Sequence, residues 1–217
     1  MLFRSVTLII LTTVGCITGA LGASTGGDRS VQAGSGGFDN SIKGAGDKFE
    51  TAAEAPPKVS FDSLGNLQLV IALINKYREV HQSPELTWNT SLAHYAANAA
   101  YPCRFGSSHG PYGEVIAGSS KVNNPEWFVW FMYDENKAYD FKNPQINDNA
   151  TKHFTQLVWA GSKQVGCAFA SGCSGLKYQL WCEFQPKGNT GSQLSYRNNV
   201  KAADKTKKAP GMPPAII

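Results

Sequence analysis

Every tryptophan in this 217-residue chain, and four of its five cysteines, lies between Trp88 and Cys182. Aromatic and thiol side chains are what a core is built from, so the chain can fold only where they are. One domain is therefore predicted over 60–195. Residues 24–59 are dominated by Gly, Ser and Ala, with Gly26-Gly27, Gly36-Gly37 and Pro56-Pro57 as breakers. They hold too little apolar surface to offset the entropy of ordering and are expected to form a flexible spacer. Residues 196–217, basic and carrying Pro210, Pro213 and Pro214, are expected to form a disordered tail.

Residues 1–23 have the layout of a secretory signal: Arg4, an apolar run from Val6 to Ile17, then small residues around Gly19-Ala20. Cleavage between Ala20 and Ser24 is expected to remove Cys16 and deliver the protein outside the cell. Cys103, Cys167, Cys173 and Cys182 then read as two disulfides with three possible pairings. A zinc site would favour C-x-x-C doublets, which these spacings lack. Asn89-Thr90-Ser91 and Asn149-Ala150-Thr151 are glycosylation sequons, making Asn89 and Asn149 candidate acceptors. Between residues 60 and 195, ten Lys/Arg balance ten Asp/Glu, and the positive excess sits in Arg4 and the tail. A neutral folded region offers no footprint for a phosphate backbone, which excludes nucleic acid as the expected partner.

Within the domain, Leu64, Leu67, Val70, Ile71, Ile74 and Tyr77 recur at spacings of three and four after the caps Asp62 and Ser63. That pattern predicts an amphipathic helix of four to five turns. Ser91 is expected to cap a second helix through Ala99. Pro125 is expected to open a third, running through Trp127, Trp130 and Phe131 to Glu135. Thr151 to Trp159 reads as a short helix. Val165–Ala170 and Tyr178–Phe184 are alternating runs parted by Gly172 and Gly175, which predicts a hairpin. Several helices and a few strands argue an α+β sandwich.

Six ordered phrases carry a resemblance. They are Asn75 to His81 with Leu86-Thr87-Trp88-Asn89, then His109-Gly110-Pro111-Tyr112-Gly113-Glu114, then Tyr133-Asp134-Glu135 with Tyr139. His153-Phe154-Thr155-Gln156-Leu157-Val158-Trp159, Val165-Gly166-Cys167-Ala168 and Cys182-Glu183-Phe184-Gln185-Pro186-Lys187-Gly188-Asn189 follow. Over 63–191 the chain resembles the CAP superfamily of cysteine-rich secretory proteins, antigen 5 and pathogenesis-related class 1 proteins, in its fungal-type secreted form. The resemblance implies a three-layer α-β-α sandwich, stapled by disulfides, with a cleft lined by His109, Glu114, Glu135 and His153. Such a donor set suits a divalent cation, zinc first and magnesium second. If the hairpin forms, Cys167 and Cys182 face each other across it, leaving Cys103 for Cys173, and the family pattern agrees. Val115 stands where the family usually has Asn, Met132 where it commonly has Trp, and Lys152 where it usually has Gly.

The resemblance also implies activity classes. Fungal and plant relatives bind sterols and related lipids, and a loop at 139–146 carries that pattern, making Tyr139, Phe141 and Ile146 candidate lipid contacts. Catalysis is not expected, because no H-E-x-x-H helix or G-x-S-x-G elbow is present and every mature cysteine is wanted for a disulfide. The expectation is a secreted monomeric binder of a sterol or other small lipid. The alternatives are an effector with an extracellular protein partner, a peptide precursor, and a metal-dependent protease.

Overall fold

The computed structural model describes residues 57–60 and 66–217. Helix α1 (Asn66–Val80) buries Leu67, Val70, Ile74 and Tyr77 at the predicted three- and four-residue spacing. The expected caps Asp62 and Ser63 lie outside the described residues. Helix α2 (Thr90–Ala100) is capped by Asn89 rather than Ser91. The Asn89 Oδ1 accepts the N–H groups of Ser91 at 2.9 Å and Leu92 at 3.2 Å, because two orphan amides converge on the residue before the helix. Pro125 does open α3 (Pro125–Asp134), with Asn124 as its cap. Glu135 starts a separate 3-10 turn (Glu135–Ala138) instead of continuing α3. A short α4 (Lys152–Leu157) precedes the hairpin of β4 (Gln164–Ser171) and β5 (Tyr178–Gln185).

Strands β1 (Lys58–Ser60) and β3 (Gly113–Ser119) complete the main sheet in the order β1-β4-β5-β3, and β2 (Thr87–Trp88) adds parallel to β4. Side-chain alternation divides the sheet into two faces. Val165, Cys167, Leu180, Cys182, Phe184, Val115 and Ala117 face the helices α1, α3 and α4. Ala168, Ala170 and Trp181 face α2 through Ala96, Ala97 and Ala100. The α2 layer comes close because β4 carries Gly166, where a Cβ would run into the backbone of Asn89, Leu92 and Ala93. The architecture is the expected three-layer α-β-α sandwich. Both expected disulfides are present. Cys167 and Cys182 are directly opposite in the β4–β5 register, and Cys103–Cys173 ties the chain beyond α2 to the hairpin turn.

The expectation for the C-terminal flank needs correction, while the expected signal 1–23 and residues 24–56 of the expected spacer lie outside the described residues. Lys58 and Val59, read as spacer, pair with Ser171 and Ala170. The chain beyond 195 is ordered: α5 (Gln193–Asn199) buries Tyr196, and Val200 is buried too. The last residues then run back along α1. Lys201 O meets His81 Nδ1 at 2.6 Å, and the Asp204 N–H donates to Val80 O at 2.8 Å. The Tyr77 hydroxyl donates to Pro210 O at 3.3 Å, Asn124 Nδ2 to Pro214 O at 2.7 Å, and the Asn123 N–H to Ile216 O at 2.7 Å. Lysines and prolines read as disorder, but this segment is anchored through its carbonyls, which side-chain composition does not register.

Candidate functional site

A cavity of about 790 Å³ follows the outer edge of β3. Its polar end carries His109, Glu114, Lys152, His153 and Lys187, and its apolar end Phe105, Ile116, Phe131 and Leu176. Three of the four residues expected as cation ligands therefore line it, and Glu135 stands behind them.

The four residues divide into two pairs with separate partners. Glu135 ends α4 electrostatically: its Oε2 accepts the N–H groups of His153 and Phe154 at 3.0 Å each, where Thr151 supplies no side-chain cap. Its Oε1 lies 2.6 Å from His153 Nδ1. With Nδ1–H donating there, Nε2 is the ring nitrogen left without a partner among the described residues. Glu114 lies on β3, and its two oxygens take the Ser108 N–H at 3.0 and 3.1 Å. His109 sits just before that strand with φ of 55°, in the left-handed region, and its own N–H donates to Ser107 Oγ at 3.1 Å.

Sequence reasoning missed Glu183, which pairs directly opposite Glu114 in the β3–β5 register. It is fully buried, and no donor from the rest of the described protein reaches either oxygen. Burial and then the charge of Glu114 push the Glu183 carboxyl up to about 9, against a weaker pull from Lys187. Glu183 is therefore protonated at neutral pH, beside Glu114 but with neither oxygen hydrogen-bonded among the described residues. The signal was a lone charged residue inside the aromatic run of β5, readable only once the register with β3 is known. Arg78 was also missed. Fully buried on α1, it donates to the carbonyls of Pro84, Leu157, Trp159 and Ser162 at 2.7 to 3.0 Å, and so fixes the exit of α4. Burial lowers its guanidinium to about 10.

These commitments bear on the expected cation. Among the described residues, no three His, Cys, Asp or Glu side chains come together as a metal-holding group. Glu135 is spent on His153 and the start of α4, and Glu114 on Ser108. The four residues as placed do not fit a zinc or magnesium ligand set.

The expected lipid contacts separate as well. Tyr139 is a core residue, edge-on to Phe141 at 4.8 Å and to Phe154 at 5.5 Å. Its buried hydroxyl has no hydrogen-bond partner among the described residues, and burial pushes it up to about 12. Phe141 is half-buried against the same core, 6.1 Å from His81, which is a hydrogen-bonded core histidine. Of the three, Ile146 alone is exposed. The aromatic pair points inward because the 3-10 turn hands the chain from α3 directly over Phe154. Of the two sequons, Asn89 is half-buried with both side-chain atoms engaged, Nδ2 donating to Gln164 Oε1 at 3.0 Å, so it is a cap rather than an open acceptor. Asn149 is exposed.

The model of the Cysteine-rich secretory protein (CAP) family matches residues 71–184. Relatives include Repressed by EFG1 protein 1 of Candida albicans, 36% identical over 53% of this chain and 44% of that protein. The basic form of pathogenesis-related protein 1 of Nicotiana tabacum is 34% identical over 52% of this chain and 64% of that protein. Pathogenesis-related protein PR-1 of Medicago truncatula is 32% identical over 67% of this chain and 88% of that protein. The chain thus spans under half the length of the Candida relative and under two thirds of the tobacco one. Solved structures with the same fold include the Hookworm Platelet Inhibitor, with a TM-score of 0.51 at 18% identity over 65% of this chain and 80% of that one. NaASP2 with Zn2+ has a TM-score of 0.50 at 16% identity over 64% of this chain and 86% of that one. Among the described residues no helix is long and apolar enough to cross a membrane.

Proposed function

Because this chain belongs to the cysteine-rich secretory protein family, we propose that it is exported, acts by binding rather than by catalysis, and takes a sterol or another small lipid beneath the loop 139–146. The names of its relatives, Secreted protein PRY1 of Candida albicans among them, support export. The observation that carries the ligand reading is the Tyr139 hydroxyl, buried and without a partner among the described residues, at the start of a loop on which Phe141 packs inward and Ile146 is exposed. An unpaired buried polar atom is costly, and a rigid apolar molecule with a single hydroxyl would supply its missing partner. The β3 cavity suits such a ligand poorly, since its floor is open strand edge that an apolar molecule would leave unpaired.

The binding reading also follows from what the imidazoles touch. Among the described residues neither the His109 nor the His153 ring hydrogen-bonds a hydroxyl or thiol, so no nucleophile is paired with a base. The Zn2+ that accompanies NaASP2 belongs to that protein.

Equilibrium binding of radiolabelled cholesterol and cholesteryl acetate tests the reading. Tyr139→Phe keeps the ring and deletes the hydroxyl, so cholesterol affinity should fall about tenfold while the capped acetate is unaffected. His153→Ala should leave cholesterol binding unchanged. Absence of cholesterol binding at micromolar protein defeats the carrier reading, and peptide hydrolysis that disappears with His153→Ala defeats the non-catalytic one.

A further inference from the structure

The edge strand β3 has β5 on one side and only the cavity on the other. In an antiparallel pair, alternate residues aim their N–H and C=O away from the partner strand. Outside the β3–β5 ladder, no hydrogen bond among the described residues reaches a backbone N–H or C=O of Gly113–Ser119. A seven-residue edge of Gly-Glu-Val-Ile-Ala-Gly-Ser, with no Pro or Lys, is the kind that proteins ordinarily shield. Here the shield is shape. The edge lies at the bottom of a cavity, closed to another folded sheet and open to a slim chain.

The walls add a charge pattern. Lys152 and Lys187 line the polar end, both are exposed, and neither forms an ion pair among the described residues. Glu114, which lines the same end, accepts the Ser108 N–H with both of its oxygens. At the other end, Phe105 and Phe131 are 50% and 53% exposed although both are large and apolar. A Cβ on Gly118 would touch Phe105 and Leu176 at 2.9 and 3.1 Å, so that pair covers the face of β3 bearing Glu114, Ile116 and Gly118. Phe131, on α3, lines the same cavity and stacks on Trp127 with ring centroids 5.3 Å apart. From Glu114 to Gly118 is about 14 Å along an extended strand, four residues of about 3.4 Å each.

We propose that this cavity binds an extended peptide, which adds to β3 as a further strand, with an acidic residue at the Lys152–Lys187 end and an aromatic or aliphatic residue four positions away at the Phe105–Phe131 end. The open N–H and C=O groups supply affinity independent of sequence, and the two ends supply register and selectivity. The site is separate from the loop 139–146 and does not rest on lipid binding.

The probe is a fluorescein-labelled octapeptide of alternating valine and threonine with glutamate at its second position and phenylalanine at its sixth, titrated into the full chain. Micromolar binding is expected, with slowed hydrogen exchange at alternate β3 amides. The same peptide N-methylated at alternate amides keeps every side chain but cannot form the ladder, and should bind at least tenfold more weakly. Joint Lys152→Glu and Lys187→Glu substitution should weaken the glutamate peptide about tenfold and favour a version with lysine in its place. Because both sites are exposed, loss of folding does not confound this pair, and the reciprocal rescue excludes general damage. No binding at millimolar peptide, or equal binding of the N-methylated peptide, overturns the proposal. So does oleate binding that depends on both lysines and is untouched by the peptide, which would assign the cavity to an anionic lipid.

Discussion

A carboxyl group sealed from water and from every donor has to fold with its proton, and Glu183 is in that position. Its folded pKa, about 9, stands above the ordinary carboxylate value of 4.5. The folded state therefore holds one proton more than the unfolded chain between those limits. Stability from this group is complete below about pH 4.5 and is lost as pH rises toward 9. Glu183→Gln keeps the shape without needing the proton. Urea denaturation should find the variant and parent alike near pH 5, and the variant more stable by about 2–3 kcal/mol at pH 7. A constant gap across pH would mean that Glu183 folds charged. The single residues of the site were legible one at a time: His109, Glu114, Glu135 and His153 each sit at or beside the cavity. Their allocation was not. It depends on which residue of β5 falls opposite Glu114 and on where α4 begins relative to Glu135, and both are set by contacts distant in sequence.

Local periodicity, by contrast, carried the elements that bury one face by themselves. Helix α1, the Pro125 start of α3 and the β4–β5 hairpin follow from spacings within the element. Strand β3 was unreadable because Gly113–Ser119 has one charged residue and two glycines, and it becomes a strand only by pairing with β5 more than sixty residues away. The C-terminal segment failed for the reason given above: its anchors are carbonyls. That anchoring can be measured. Tyr77→Phe deletes the bond to Pro210 O, and Asn124→Ala the bond to Pro214 O, the latter also removing the α3 cap. Each should release the segment by about 1 kcal/mol, so trypsin should cut after Lys205, Lys207 and Lys208 about fivefold faster. Unchanged cleavage in Tyr77→Phe would show that those carbonyl contacts do not hold the segment down.

For the molecule as a whole, the covalent link of greatest reach is Cys103–Cys173, with 70 residues between its ends. It pins the start of the connection that carries Phe105 and His109 to the hairpin turn. Replacing both cysteines with serine should lower stability by about 4 kcal/mol in the chain-entropy description, measured by urea denaturation under non-reducing conditions. It should also weaken peptide capture, since one wall of the cavity loses its anchor. The two borders of the sheet differ in a way that reaches beyond a single chain. At the β1 border the protein supplies three residues of its own N-terminal segment, while the β3 border presents seven residues recessed in a cavity. A recessed border accepts a slender guest but cannot meet its own equivalent on another molecule, and a three-residue border is too short to nucleate one. With a guest taken at β3 as proposed, and β1 three residues long among the described residues, the valence for strand addition would be one. The protein would then terminate a growing array of strands where a two-edged sheet would extend it.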